Sequence, residues 1–139
     1  MTPDQIALVR QSFAPLAAQR EAVAAAFYDE LFAREPGLRT LFGSDLAAQG
    51  KKLMAALALV VGGLDRLEAL APELTTLAQR HVAYGVEPRH YDLVGQALIA
   101  TLAAGLGEAF TPALREAWTC AYGALAKTMV AAAYDPAPA

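Results

Sequence analysis

In one segment after another, the apolar side chains of this chain recur every three or four positions, and no stretch alternates in twos as a half-buried strand requires. That pattern restricts the fold to helices packed on helices. Thr2 ahead of Pro3 reads as an N-cap and first helical position, and Ile6, Val9, Phe13 and Leu16 continue as the apolar stripe of a first helix. A second stripe of Val23, Phe27 and Leu31, with Tyr28 and Phe32 beside it, stops before Pro36-Gly37, and a short turn carries Leu38, Leu41 and Phe42. Beyond the Gly43-Ser44-Asp45 punctuation a long helix runs through Leu53, Met54, Leu57, Val60, Val61 and Leu64. Pro72 to His81 forms a shorter helix with Leu74, Leu77, Ala78 and His81 on one face, broken by Gly85 and Pro88. The last two helices run from about Arg89 to Leu106 and from Pro112 to about Ala133, where Thr111-Pro112 repeats the opening cap signal.

Helices this unequal, separated by proline and glycine, predict an all-α, irregular helical sandwich rather than a symmetric bundle. At 139 residues, 56% hydrophobic and only 18% charged, the chain builds one core with room for an apolar ligand. One domain over 1–134 is expected, with 135–139 a short disordered tail.

Charge excludes some partners. Eleven basic against fourteen acidic side chains leave a net charge of −3, with no basic cluster longer than Lys51-Lys52, so nucleic acid is not expected. The amino terminus lacks the layout of a secretory signal. The longest uncharged apolar run, Leu53 to Leu64, is too short for a bilayer span of about 20 residues, so no membrane partner is expected. Cys120 is the single cysteine and cannot form an internal disulfide, which suits a cytoplasmic protein.

The candidate chemistry centres on His81, which falls where leucines fall. A histidine on an apolar helix face is most often a hydrogen-bonded core residue, but imidazole is also a common metal ligand and an axial ligand of haem iron. The other histidine, His90, sits at a helix start between Arg89 and Tyr91, so no two-histidine zinc spacing exists. Ser12 and Ser44 lie outside any nucleophile-elbow sequence, which argues against nucleophilic hydrolysis.

Taken in order, Phe27-Tyr28, Pro36 with Leu41-Phe42, Gln49 to Leu53, Arg80-His81 and His90-Tyr91 resemble the bacterial globins. The chain is most similar to single-domain haemoglobins of the Vitreoscilla type, related to the haem domain of flavohaemoglobins, and the similarity extends from the first helix to about Ala133. The resemblance implies a globin fold of about six to eight helices enclosing a non-covalent haem b, with His81 the sole protein ligand to iron and Phe42 wedging the haem plane. It further implies a gas pocket in which Tyr28 and Gln49 face the vacant iron position, with Leu53 as an apolar wall. A gas that draws electron density from the cofactor gains partial negative charge, so a phenolic O–H and an amide N–H facing it form strengthened hydrogen bonds. Without the resemblance, a half-buried tyrosine and an exposed glutamine are the ordinary readings. Leu57, Leu77, Val86, Val94, Trp118 and Tyr122 lie on stripes the family turns inward, and Arg80, Lys51 and Lys52 are the basic residues placed to meet haem propionates.

The sequence departs from that family in one respect. Where flavohaemoglobins carry a glutamate that, with a tyrosine, hydrogen-bonds the proximal histidine, Tyr91 matches the tyrosine but the glutamate position falls at about Ala133. A weaker donor histidine and a higher reduction potential are the expectation. The resemblance therefore implies reversible binding of oxygen, and of nitric oxide and carbon monoxide, for transport or storage. The alternative is a nitric oxide dioxygenase; with the sequence ending at Ala139, that enzyme is expected to need a separate reductase. A gas-sensing or haem-free regulatory globin is the third reading.

Overall fold

The computed structural model describes residues 1–42, 45–83 and 85–134. The Gly43-Ser44 punctuation and the expected tail over 135–139 lie outside the described residues. Among the described residues six α-helices are present: α1 (Pro3–Ala18), α2 (Arg20–Arg34), α3 (Leu46–Gly62), α4 (Ala71–Ala83), α5 (Pro88–Leu106) and α6 (Pro112–Tyr134). Short 3-10 turns occupy Pro36–Leu41, Leu64–Leu70 and Gly107–Ala109, and the described residues contain no strand.

The capping chemistry works as the sequence predicts. The Thr2 hydroxyl accepts from Gln5 N at 3.1 Å while Gln5 Oε1 accepts from Thr2 N at 3.0 Å, a reciprocal pair that satisfies two of the orphan donors of α1. Thr111 accepts from Leu114 N at the start of α6. Sequence periodicity passes over two features. The 3-10 segment Leu64–Leu70 carries α3 into α4, and Arg10 of α1 fastens that join from the side. Its guanidinium donates to the carbonyls of Val61 and Gly62 at 3.0 and 2.9 Å and to Asp65 at 2.9 Å, covering α3 carbonyls that have no helical partner. Asp65 is exposed, and the Arg10 hydrogen bond holds its carboxyl below the usual range.

The helices form two layers. α1, α3 and α4 lie over α2, α5 and α6; α1 and α4 pack on α6, and α3 packs on α2. The core they enclose is built on Val9, Phe27, Leu31, Leu74, Leu102 and Trp118, each at most 3% exposed. Trp118 stands in this core, with Nε1 donating to Ser12 Oγ of α1 at 2.8 Å. Within the first layer α1 packs on α3, but α3 and α4 make no extensive contact with each other. These two helices, which carry Gln49 and His81, are the neighbours left standing apart.

Candidate functional site

α4 turns Leu74 and Ala78 fully into the core, and Leu77 and His81 lie half-buried on the same side. His81 Nδ1 sits 2.7 Å from the Leu77 carbonyl. A carbonyl can only accept, so Nδ1 carries the proton and Nε2 keeps the lone pair. Among the described residues nothing hydrogen-bonds Nε2. The turn that follows is held by Val86 N donating to His81 O and Gly85 N donating to Val82 O, both at 3.0 Å. This pair of bonds is a Schellman closure. It requires the left-handed backbone found at Gly85, whose φ is +93°, and any side chain there would crowd Leu41 at 3.3 Å.

Beside His81 the ring of Tyr91 lies within 29° of parallel at a centroid distance of 6.5 Å. Tyr91, Ala78 and Met129 are buried together, with Leu77, Val86, Leu125, Ala132 and Ala133 packed around them. Tyr122 of α6 ties this wall to α5 by donating its hydroxyl to the Tyr91 carbonyl at 2.7 Å. Its ring fits because position 95 is glycine: a Cβ there would stand 2.8 Å from Tyr122 Cε2. Burial, then the nearby Tyr91 and Asp92, push the Tyr122 phenol up, so it stays protonated and donates.

The residues expected on the gas side rest on a close crossing of α2 and α3. A Cβ on Gly50 would stand 2.9 Å from the Ala24 Cβ and 3.9 Å from the Tyr28 ring, so glycine permits the approach. Tyr28 is buried, edge-on to Phe42 at 5.4 Å and near-parallel to Phe32 at 5.9 Å. Burial pushes its phenol up to about 12, which keeps it a donor at neutral pH. The half-buried Gln49 adjoins Gly50 in the first turn of α3, where Asp45 caps the helix through Ala48 N at 3.0 Å. Among the described residues neither the Tyr28 hydroxyl nor the Gln49 amide has a hydrogen-bond partner. Leu53 and Leu57 follow Gln49 at four-residue steps and are also half-buried.

The structure thus brings His81, Tyr91, Val86 and Leu77 together on one wall, and Tyr28 with Phe42 on the other. Leu57 and Tyr122 line a small apolar cleft with Val61, Leu64 and Leu98. Val94 is half-buried and packs against the main core. Arg80, Lys51 and Lys52 are exposed and make no ion pair among the described residues. A groove of about 330 Å³ between α2 and the start of α3 is lined by Arg20, Ala24, Phe32, Arg39 and Lys51; of the predicted site it includes Tyr28 and Lys51, and His81 does not line it.

The donor set suits a haem better than a structural metal ion. One imidazole has its second nitrogen fixed, its neighbours are apolar and aromatic, and no group of three His, Cys, Asp or Glu that could hold a metal occurs among the described residues. Sequence reasoning missed the parts that carry no chemical signature of their own: the Leu77 carbonyl and the close-approach glycines at 50 and 95.

Comparisons with known proteins bear on the family and the fold. The family model Globin matches residues 25–129. The chain is 35% identical over 133 residues to flavohemoproteins of Deinococcus radiodurans and of Bordetella parapertussis; the match covers 94% of this chain and 33% of each relative, so the chain spans about a third of their length. A bacterial globin from Campylobacter jejuni superposes with a TM-score of 0.86 at 26% identity, covering 94% of this chain and 95% of that one. The chain belongs to the globin family.

Proposed function

We propose that this protein holds haem b through His81 and binds oxygen reversibly, along with nitric oxide and carbon monoxide, as a carrier or store. The observation that carries the reading is the His81–Leu77 hydrogen bond at 2.7 Å, which leaves Nε2 as a fixed lone pair on the half-buried side of α4. Kinship with flavohemoproteins, whose name declares haem, supports the same cofactor. When bound, haem would supply an iron centre able to take up a diatomic gas.

The chain's own residues then divide the work. His81 ligates, and its turn is closed by Gly85. Phe42, Leu53, Leu57, Leu77, Val86, Val94, Tyr91 and Tyr122 supply the apolar and aromatic walls, excluding water from the cofactor. Arg80, exposed at the last turn of α4, serves a propionate. Tyr28 and Gln49 donate hydrogen bonds to the captured gas, and the protonated state of Tyr28 is secured by its burial. No described helix is long and apolar enough to cross a membrane, and the one cysteine, Cys120, is free, which accords with work in a cytoplasm.

Absorption spectra of the purified protein, ferric, reduced and oxygenated, test the reading, run beside a nitric oxide consumption assay with a reductase supplied. A stable oxygenated spectrum with negligible sustained nitric oxide turnover supports the carrier. Rapid turnover to nitrate replaces it with a dioxygenase that depends on a separate reductase. No haem spectrum after reconstitution, or one unaffected by His81→Ala, overturns the assignment of the ligand.

A further inference from the structure

We infer that His90 is a positioning residue for the His81 wall: its neutral imidazole latches the start of α5, and protonation of the ring releases that latch. The latch is a property of the fold by itself; its effect on haem rests on the function proposed above.

His90 is only 5% exposed and stands outside the residues assigned to haem and gas. Its Nδ1 accepts the Glu87 backbone N–H at 2.9 Å, while the Glu87 side chain accepts from the His90 backbone, a reciprocal cap on the first turn of α5. An accepting Nδ1 has no hydrogen, so the neutral ring carries its proton on Nε2, 3.5 Å from Glu87 Oε2. This is the opposite tautomer to that of His81. Protonation puts a hydrogen on both nitrogens, and two N–H groups then face each other where one bond was. The added charge also falls at the positive end of the α5 dipole. Glu87 offsets part of that charge, but its carboxylate is shared with Arg89 Nε at 3.3 Å, and Arg89 Nη1 lies 3.6 Å from Glu35 at the end of α2. From α6 the titratable group at this end is Tyr122, an uncharged donor to the Tyr91 carbonyl, and Asp92 on α5 itself is exposed.

The cap sits between the two supports of His81. Val86, just before Glu87, donates the N–H that closes the His81 turn at 3.0 Å, and Tyr91, just after His90, lays its ring 6.5 Å from the His81 ring. Opening the cap loosens both supports at once, so the hold on haem weakens as pH falls through the range in which imidazole titrates.

Amide hydrogen exchange and ring-nitrogen NMR of the full chain, from about pH 8 to about pH 5, read the latch with or without haem. At the upper end His90 is expected as the Nε2–H tautomer with the Glu87 amide protected. At the lower end that protection, corrected for the intrinsic pH dependence of exchange, is expected to fall by about two- to thirtyfold, the effect of a lost helix cap. His90→Gln, whose amide oxygen accepts the same N–H without titrating, is expected to keep its protection throughout. An equal fall in the Gln variant would assign the effect to another group and overturn the inference. A Nδ1–H tautomer in the wild type, or a Glu87 amide that ignores the titration of the His90 ring, would overturn it without any variant. In the haem-loaded carbon monoxide form, haem transfer to apomyoglobin is expected to match between the two proteins at about pH 8 and to run severalfold faster from the wild type at about pH 5. Matching rates at both would leave a cap with no positioning role, and would overturn that role. A chain that takes up no haem contradicts the proposed function instead, since the exchange measurement does not need the cofactor.

Discussion

Replacing Tyr28 with phenylalanine separates the role of its hydroxyl from that of its ring. The ring is embedded, with centroid distances of 5.3 Å to Phe27, 5.9 Å to Phe32 and 5.4 Å to Phe42, and Phe keeps all three contacts. The hydroxyl has no hydrogen-bond partner among the described residues, so its removal orphans nothing in the gas-free protein. Folding stability should then stay level or rise, by less than about 1 kcal/mol. Gas binding should respond differently. A hydrogen bond to a partly charged acceptor contributes about 1.5–3 kcal/mol, and about 1.4 kcal/mol corresponds to a tenfold rate change, so oxygen should leave Tyr28→Phe roughly ten- to a hundredfold faster. Stopped-flow displacement of oxygen by carbon monoxide reads the off-rate, and urea unfolding of the apoprotein reads the stability. An off-rate within about twofold of wild type in a stable variant would refute the role given to the hydroxyl. A large loss of stability would show that the hydroxyl is bonded inside the resting fold.

Other measurements check other links. Because burial raises the Tyr28 phenol from 10.0 to about 12, the folded state holds its proton more tightly than the unfolded chain; this contribution is complete below pH 10 and is lost as pH climbs toward 12, a decline that Tyr28→Phe should flatten in alkaline urea titrations. Ser12→Ala removes the acceptor of the Trp118 indole N–H, leaving a donor in the core without a partner, and should cost about 1–3 kcal/mol by chemical denaturation; an unchanged midpoint would argue against the bond. Gly95→Ala drives a methyl to 2.8 Å from the Tyr122 ring and should destabilise by roughly 1–3 kcal/mol, with altered near-ultraviolet circular dichroism from the displaced ring.

Much of the fold is legible because helix periodicity and end signals act locally. Thr2-Pro3 and Thr111-Pro112 announce starts that the structure satisfies with side-chain caps, and Pro36 and Pro88 stand at the first residues of new segments. The helix expected from Pro72 begins at Ala71 and the one expected from Arg89 begins at Pro88, differences of one residue at fraying ends. The Leu64–Leu70 segment is less legible, since its leucines at 64, 67 and 70 suit a 3-10 turn as well as an α-helix, and the choice depends on Arg10, fifty-five residues before Asp65 in sequence.

The candidate site is legible only as residue types in order, because what makes it a site is the separation of two helices. Periodicity places Gln49, Leu53 and Leu57 on one stripe and Leu77 and His81 on another, yet two such stripes on neighbouring helices ordinarily close on each other. Here they do not, and the reason lies in contacts made elsewhere. α3 is drawn onto α2 by the Gly50–Ala24 approach, and α4 is drawn onto α6 through Ala78 and Met129. Each helix satisfies its core demand on a different partner, and the half-buried shoulders carrying Gln49 and His81 are not packed on each other. A larger residue at Gly50 would push α3 off α2. Gly50→Val should therefore disturb gas binding through Gln49 and Tyr28 while leaving the His81 wall, and with it the iron–histidine stretch, unchanged. The two walls of the site are built independently, and a variant of one that altered the spectroscopic signature of the other would contradict that construction.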